Sequence, residues 1–176
     1  RRTVRVTAYV ALLRAVNVSG TGKLSMAELK QMGERCGFGS VRTFIATGNL
    51  LFTSELDEAE VRSRVAAQVE AYFDKPVPVF VRTAAEFAAL AGGNPFTDDK
   101  PSRVMAHVID EPVTPEMLAA ARDVNGERMA LGPRAIYVSY GDGIGSTRLK
   151  LPAVKNGTAR NMNSVEKLAV LLAGLQ

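Results

Sequence analysis

The chain has 176 residues and a mass of 18.9 kDa, room for one large domain or two small subdomains. It is 47% hydrophobic and 23% charged, a globular rather than a disordered composition, and its apolar runs fall far short of the roughly 20 residues of a membrane span. The net charge of +4 is unevenly placed: residues 1–54 carry +6, residues 55–144 carry −6 and residues 145–176 carry +4.

If the two basic ends converge, they make a positive patch facing an acidic middle; otherwise the charges solvate separate faces. One cysteine cannot close an internal disulfide, and no signal-peptide pattern opens the chain, so a cytoplasmic location is expected.

Val4 to Leu13 reads as a strand, nearly all apolar at its end, and therefore central in a sheet. The loop Asn17–Lys23 follows. Ser25 and Glu28 then form a capping box, with Leu24 and Leu29 at the staple positions. Leu29, Met32 and Cys36 make one apolar stripe, and Gly37 stops the helix. Val41–Ala46 and Leu50–Thr53 read as a hairpin around Thr47-Gly48-Asn49. Asp57 and Glu60 cap a second helix whose inner face is Val61, Val65, Val69 and Tyr72 or Phe73. Pro76 ends it, and Val77–Val81 is a fourth strand.

Thr83 and Glu86 start a short helix that breaks at Gly92-Gly93-Asn94-Pro95, the expected boundary between halves. Arg103–Ile109 is a strand, Thr114-Pro115 opens a helix, and Glu127–Leu131 with Arg134–Tyr140 forms a hairpin around Gly132-Pro133. A last helix runs from about Ser164, with Asn163 and Glu166 as its capping box and Val165, Leu168 and Leu172 inward. The fold class expected is α+β, with two tandem ferredoxin-like-type subdomains of β-α-β-β-α order. Residues 1–93 form a βαββαβ unit plus a short helix; residues 94–176 form an incomplete βαββα unit lacking a closing strand.

Arg14 and Asn17 lie just past the carboxyl end of the first strand, a usual address for sites in sheets of this kind. Arginine offers a donor fork suited to carboxylate or phosphate, and Lys23 adds a mobile charge. The structural alternative is that Arg14 pairs with an acid and Asn17 caps a turn. Thr47 and Asn49 offer a hydroxyl and an amide to the same ligand, although ordinary hairpin chemistry explains them better. Arg160 and Asn161 precede the last helix, where free N–H groups favour anions, unless capping alone accounts for the segment.

Gly141-Asp142-Gly143-Ile144-Gly145 lacks the spacing of a P-loop or a dinucleotide fingerprint and reads as a turn. His107, the only histidine, and Cys36 read as structural. One histidine and one cysteine exclude a zinc site, and no cofactor is implied. Tyr137, Tyr140, Phe44 and Phe52 lie on expected strands, but no RNA-binding aromatic motif accompanies them.

LLRAVNVSG, VRTFIATGNLLF and TARNMNSVEKL, in that order, resemble the three signatures of the domain of unknown function 1697 family. The resemblance implies a small bacterial protein with tandem α+β halves and no established activity. The family's usual pattern has Gly where this chain has Ala15 and Ser19, Ser where it has Thr47, and Trp where it has Met162.

The first functional hypothesis is a small anionic or phosphorylated ligand held by Arg14, Asn17, Lys23, Thr47, Asn49, Arg160 and Asn161 in a basic cleft. The second is an RNA- or DNA-binding protein using the same basic surface. The third is a protein-interaction module in which these residues are structural. No general base is readable, so the sequence names no reaction; it also carries no signal of oligomeric state.

Overall fold

The computed structural model describes residues 5–17 and 22–175. The expected strand start at Val4 and loop residues 18–21, Ser19 and Gly20 among them, lie outside the described residues. The chain divides into two compact units, residues 1–85 with 170–176 and residues 86–169.

In the first unit, β1 (Thr7–Leu13) is buried at six of its seven positions, which is why TAYVALL shows no polar alternation. It pairs antiparallel with β3 (Asn49–Ser54), Tyr9 opposite Phe52, and with β4 (Val79–Thr83), Tyr9 opposite Thr83. β2 (Gly39–Thr43) joins the outer side of β3, giving the order β2-β3-β1-β4. β2 is an edge strand with an irregularity between Gly39 and Arg42 and Ser40 at φ 48°, a local kink that discourages further strand addition.

Helices α1 (Met26–Arg35) and α2 (Glu58–Phe73) join one core with this sheet. Leu29 and Met32 from α1, and Val61, Val65 and Val69 from α2, pack with Leu13, Leu50 and Phe52. Each such fully buried side chain contributes roughly 1.5–3 kcal/mol. Ser25 accepts the Glu28 N–H at 3.0 Å, as the capping box requires, but the Glu28 carboxylate turns to Arg35 at 3.0 Å instead of reaching back. Asp57 caps α2 by accepting the Glu60 N–H at 2.9 Å.

α3 (Ala84–Gly92) follows β4. In the second unit, β5 (Val104–Val108), the short α4 (Pro115–Ala119), β6 (Arg128–Gly132) and β7 (Ala135–Ser139) repeat the order of the first. The fold class is the expected α+β, with two four-stranded antiparallel sheets. The second half, however, does have its closing strand. β8 (Thr158–Asn161) pairs with β5, Ala106 opposite Arg160, and completes the order β6-β7-β5-β8. It escaped the sequence pattern because its inward positions are Thr158 and Arg160 rather than branched apolar residues. α5 (Met162–Ala173) therefore starts earlier than expected, and its cap is Asn161, whose Oδ1 accepts the Ser164 N–H at 3.0 Å, not Asn163.

The units differ between their third and fourth strands. The first places the sixteen-residue α2 there. The second places two single 3-10 turns, Gly141–Gly143 and Pro152–Val154.

Gly48 lies in the β2–β3 turn. Its φ is +86°, and a Cβ there would meet Val16 Cγ2 at 2.6 Å and Leu13 Cβ at 3.0 Å. Gly48→Ala is expected to cost about 2–4 kcal/mol, strain and overpacking together. Gly37→Ala, also at positive φ (+82°) but with nothing within 4 Å, should cost only about 1 kcal/mol. Urea unfolding of both variants measures the difference; equal losses would show that packing against Val16 and Leu13 contributes nothing.

Candidate functional site

The end of β1 is built by backbone that leaves the extended region abruptly. Ala15 (φ 55°) and Asn17 (φ 59°) both adopt left-handed conformations, which asparagine tolerates better than alanine. Asn17 is held there by its own side chain. Its Oδ1 accepts the Leu24 N–H at 2.6 Å, and its Nδ2 donates to Leu24 O and to Ala46 O, both at 2.7 Å. Asn49, fully buried, donates to Phe44 O and to Thr47 Oγ1, each at 2.8 Å. Leu13 N–H donates to Gly48 O at 2.9 Å. Asn17, Thr47 and Asn49 are thus brought together, as the two sides of a clasp that fastens the β2–β3 turn to the end of β1. Lys23 is exposed beside the loop.

Arg14 lies on the other side of this turn, half-buried in the wall of a crevice of about 280 Å³. Val16, Phe73, Val77 and Pro78 supply apolar walls, and exposed Lys75 a second cation. The crevice exists because the chain entering β4 is Lys75-Pro76-Val77-Pro78. Neither proline has an N–H to extend the sheet; only Pro78 O is engaged, accepting the Arg14 N–H at 3.1 Å. Phe73 is read in the sequence only as a helix-face residue and Lys75 carries no expectation there, although a lysine between a helix end and two prolines is a visible cue.

Arg160 and Asn161 belong to the second unit. Arg160 is buried on β8, donating to Thr158 Oγ1 at 2.8 Å and Ala159 O at 2.9 Å. Burial pushes its guanidinium down to about 10, which still leaves it cationic at neutral pH. Asn161 spends its Oδ1 on the α5 cap.

His107, read as structural, has a specific neighbour. Its Nε2 lies 3.0 Å from Tyr140 Oη, and burial pushes the imidazole down to about 4. Tyr140 is pushed up, by burial first and then by the Glu127 carboxylate. Cys36 is buried, and burial pushes its thiol up, the direction that suppresses thiolate. Among the described residues, no group of three or more His, Cys, Asp and Glu is placed to hold a metal ion, and no helix is long and apolar enough to cross a membrane.

A family model described as a protein of unknown function, DUF1697, matches residues 6–137. The chain belongs to the DUF1697 family. The match takes in the strand-end turn, the crevice, and β5, β6 and the start of β7 in the second sheet, so the likeness of the first two signatures is carried through; the third, TARNMNSVEKL, lies beyond it. No curated protein matches the sequence. Among solved structures, a conserved bacterial protein of Streptococcus pneumoniae is similar at TM-score 0.79 and 21% identity, covering 96% of this chain and 99% of its own. At that identity the likeness is one of fold. Ala15 at φ 55° stands in a left-handed conformation that glycine adopts without the strain of a side chain.

Ala15→Gly is accordingly expected to stabilise the protein by about 0.5–1 kcal/mol, the relieved strain exceeding the added chain entropy. A lowered urea midpoint would contradict the strain argument. His107 gives a pH prediction. The unfolded imidazole takes its proton near 6.5 and the folded one near 4, so the unfolded chain binds more protons between these values. The stability tied to neutral His107 is fully present above 6.5 and is lost as pH falls toward 4, by on the order of 3 kcal/mol. Carboxylates such as Asp99 add acid sensitivity of their own, so the readout is the difference from His107→Gln. That variant should lose less stability from pH 7 to pH 4, and identical losses would mean that the imidazole is not buried neutral.

Proposed function

We propose that the first unit binds a small organic anion in the crevice at the end of β1. The observation that carries this is the placement of Arg14. The central strand, buried at all but its first position, delivers a half-buried guanidinium into a crevice with apolar walls and a second cation, Lys75. A guanidinium fork recognises carboxylate or phosphate in two-point geometry, and partial burial strengthens that contact relative to open water. The clasp made by Asn17 and Asn49 fixes the backbone from which Arg14 projects, so these residues act as positioning groups. Lys23 and Lys75 raise the local anion concentration. The shared strand order 2-3-1-4 and its β-α-β-β-α-β sequence support reading the first unit as ferredoxin-like.

Thermal-shift titration with phosphorylated metabolites and small carboxylates tests this. A ligand present at 100 times its Kd should stabilise the wild type by about 2.7 kcal/mol. Lys75→Ala, at an exposed position, should weaken binding several-fold while leaving the ligand-free transition unchanged; Arg14→Ala should abolish the ligand-dependent shift. If no anion stabilises the protein and short oligonucleotides bind with a steep, Arg14-dependent salt slope, the surface serves a nucleic acid backbone instead.

A further inference from the structure

The second unit holds a different cavity, on the face that its sheet shares with His107. Where the first unit has α2 between its third and fourth strands, the second has only the turns Gly141–Gly143 and Pro152–Val154 with the irregular chain between them. These leave a groove of about 550 Å³, within the size range of small-molecule sites. Its walls are Leu149, Leu151 and Val154; Lys150 and Lys155 are exposed at residues lining it; His107 and Tyr140 complete the lining.

The His107–Tyr140 pair is only partly satisfied by the protein. Among the described residues, the 3.0 Å contact is the one hydrogen bond of either side chain. With the imidazole neutral at neutral pH, two tautomers are open. If Tyr140 donates to Nε2, then Nδ1–H is left as a donor and Tyr140 Oη as an acceptor. If Nε2–H donates to Tyr140, then Nδ1 is left as an acceptor and the phenol as a donor. Either way the pair offers one donor and one acceptor. A ligand hydroxyl placed on Tyr140 Oη satisfies either arrangement, donating to the phenol oxygen in the first and accepting from the phenol in the second.

We propose that this groove binds a small hydroxy acid, its hydroxyl on the His107–Tyr140 pair, its apolar body against Leu149, Leu151 and Val154, and its carboxylate toward Lys150 and Lys155. The site is separate from the crevice at Arg14, and either can be real without the other. Charge complementarity selects the acid end, since Lys150 has only a long contact with Asp123, at 3.9 Å. The apolar walls exclude inorganic phosphate as a good occupant, because a small ion leaves them wet.

Imidazole NMR is the direct test, because His107 is the only histidine in the chain. With 4-hydroxybenzoate as the probe, the His107 resonances should shift along a saturable isotherm. Benzoate, lacking the hydroxyl, should bind about five- to tenfold more weakly, and Tyr140→Phe should remove most of that preference while keeping the ring in place. Lys150→Ala should weaken both compounds equally. Amide spectra of each variant report whether the fold is kept, and a variant that unfolds is replaced by His107→Gln, whose binding is read from the amide shifts of Leu149 and Leu151 and for which the same loss of preference is expected. The proposal is overturned if 4-hydroxybenzoate leaves His107 unshifted at millimolar concentration. It is equally overturned if benzoate binds as well, or if the shifts fall at Arg14 and Lys75 instead.

Discussion

The side-chain amide of Asn17 is the constraint on which the strand-end architecture depends. A backbone leaving β1 has three unpaired neighbours to reconcile: the entry to α1, the β2–β3 turn and its own left-handed bend. Asn17 meets all three, through Leu24 N–H and O and through Ala46 O. An aspartate could accept from Leu24 but could not donate to either carbonyl, and a leucine could do neither. Both amide bonds to carbonyls are 2.7 Å, short for neutral partners, and they hold Ala15 and Asn17 in conformations that free peptides avoid. The position of Arg14 follows from that bend, since the strand cannot continue past it.

The same topology carries two different surfaces because one connection changed. In the first unit, sixteen helical residues between the third and fourth strands bury Val61, Val65 and Val69 against the sheet. In the second, the corresponding chain makes turns stitched by local bonds, Gly143 N–H to Tyr140 O and Gly157 N–H to Val154 O. Its core contribution shrinks to Leu151, with Leu149 and Val154 partly covered. A helix presents a continuous ridge, whereas turns present separated side chains, and the space between them is where His107 and Tyr140 meet. Replacing one helix with turns therefore converts a closed core face into an open groove without altering the sheet.

Local chemistry was legible in the sequence and long-range pairing was not. Ser25 and Asp57 were readable as caps because a cap is completed within three residues. The turn at Thr47-Gly48-Asn49 was readable for the same reason, and so was the structural reading of Asn49. β8 was missed because its partner, β5, lies some fifty residues earlier and its four residues carry no apolar alternation. The crevice joins Arg14 to residues 73–78, and the His107–Tyr140 contact spans 33 positions. Periodicity records which face of an element is buried; it holds no record of which distant element buries it. The expected cap at Asn163 failed on a smaller scale: Asn161 and Asn163 both suit the role, and β8 ends so close to the helix that only Asn161 stands at its start.

Regional charge proved a poorer guide than the commitments of individual charges. Residues 55–144 carry a net −6, yet several of their carboxylates, Glu86, Asp98, Asp99, Asp110 and Glu127, are engaged in bonds within the second unit. Asp98 takes both arms of Arg128, itself set 4.9 Å over the Phe96 ring, and Arg134 is divided between Glu86 and Asp110. Asp99 accepts from Ser139 Oγ and from Gly141 N–H, and Glu127 from Thr147 Oγ1 and Asn125 N–H. A carboxylate saturated by such donors is held low in pKa, as Asp99 and Glu127 both are, and its negative field is partly cancelled by the dipoles around it. An acidic stretch of sequence can therefore leave a weaker negative field in the folded chain than its count of carboxylates suggests. What an approaching ligand meets is the arrangement of charges after the loops have been tied, and the groove of the second unit is lined in part by Lys150 and Lys155.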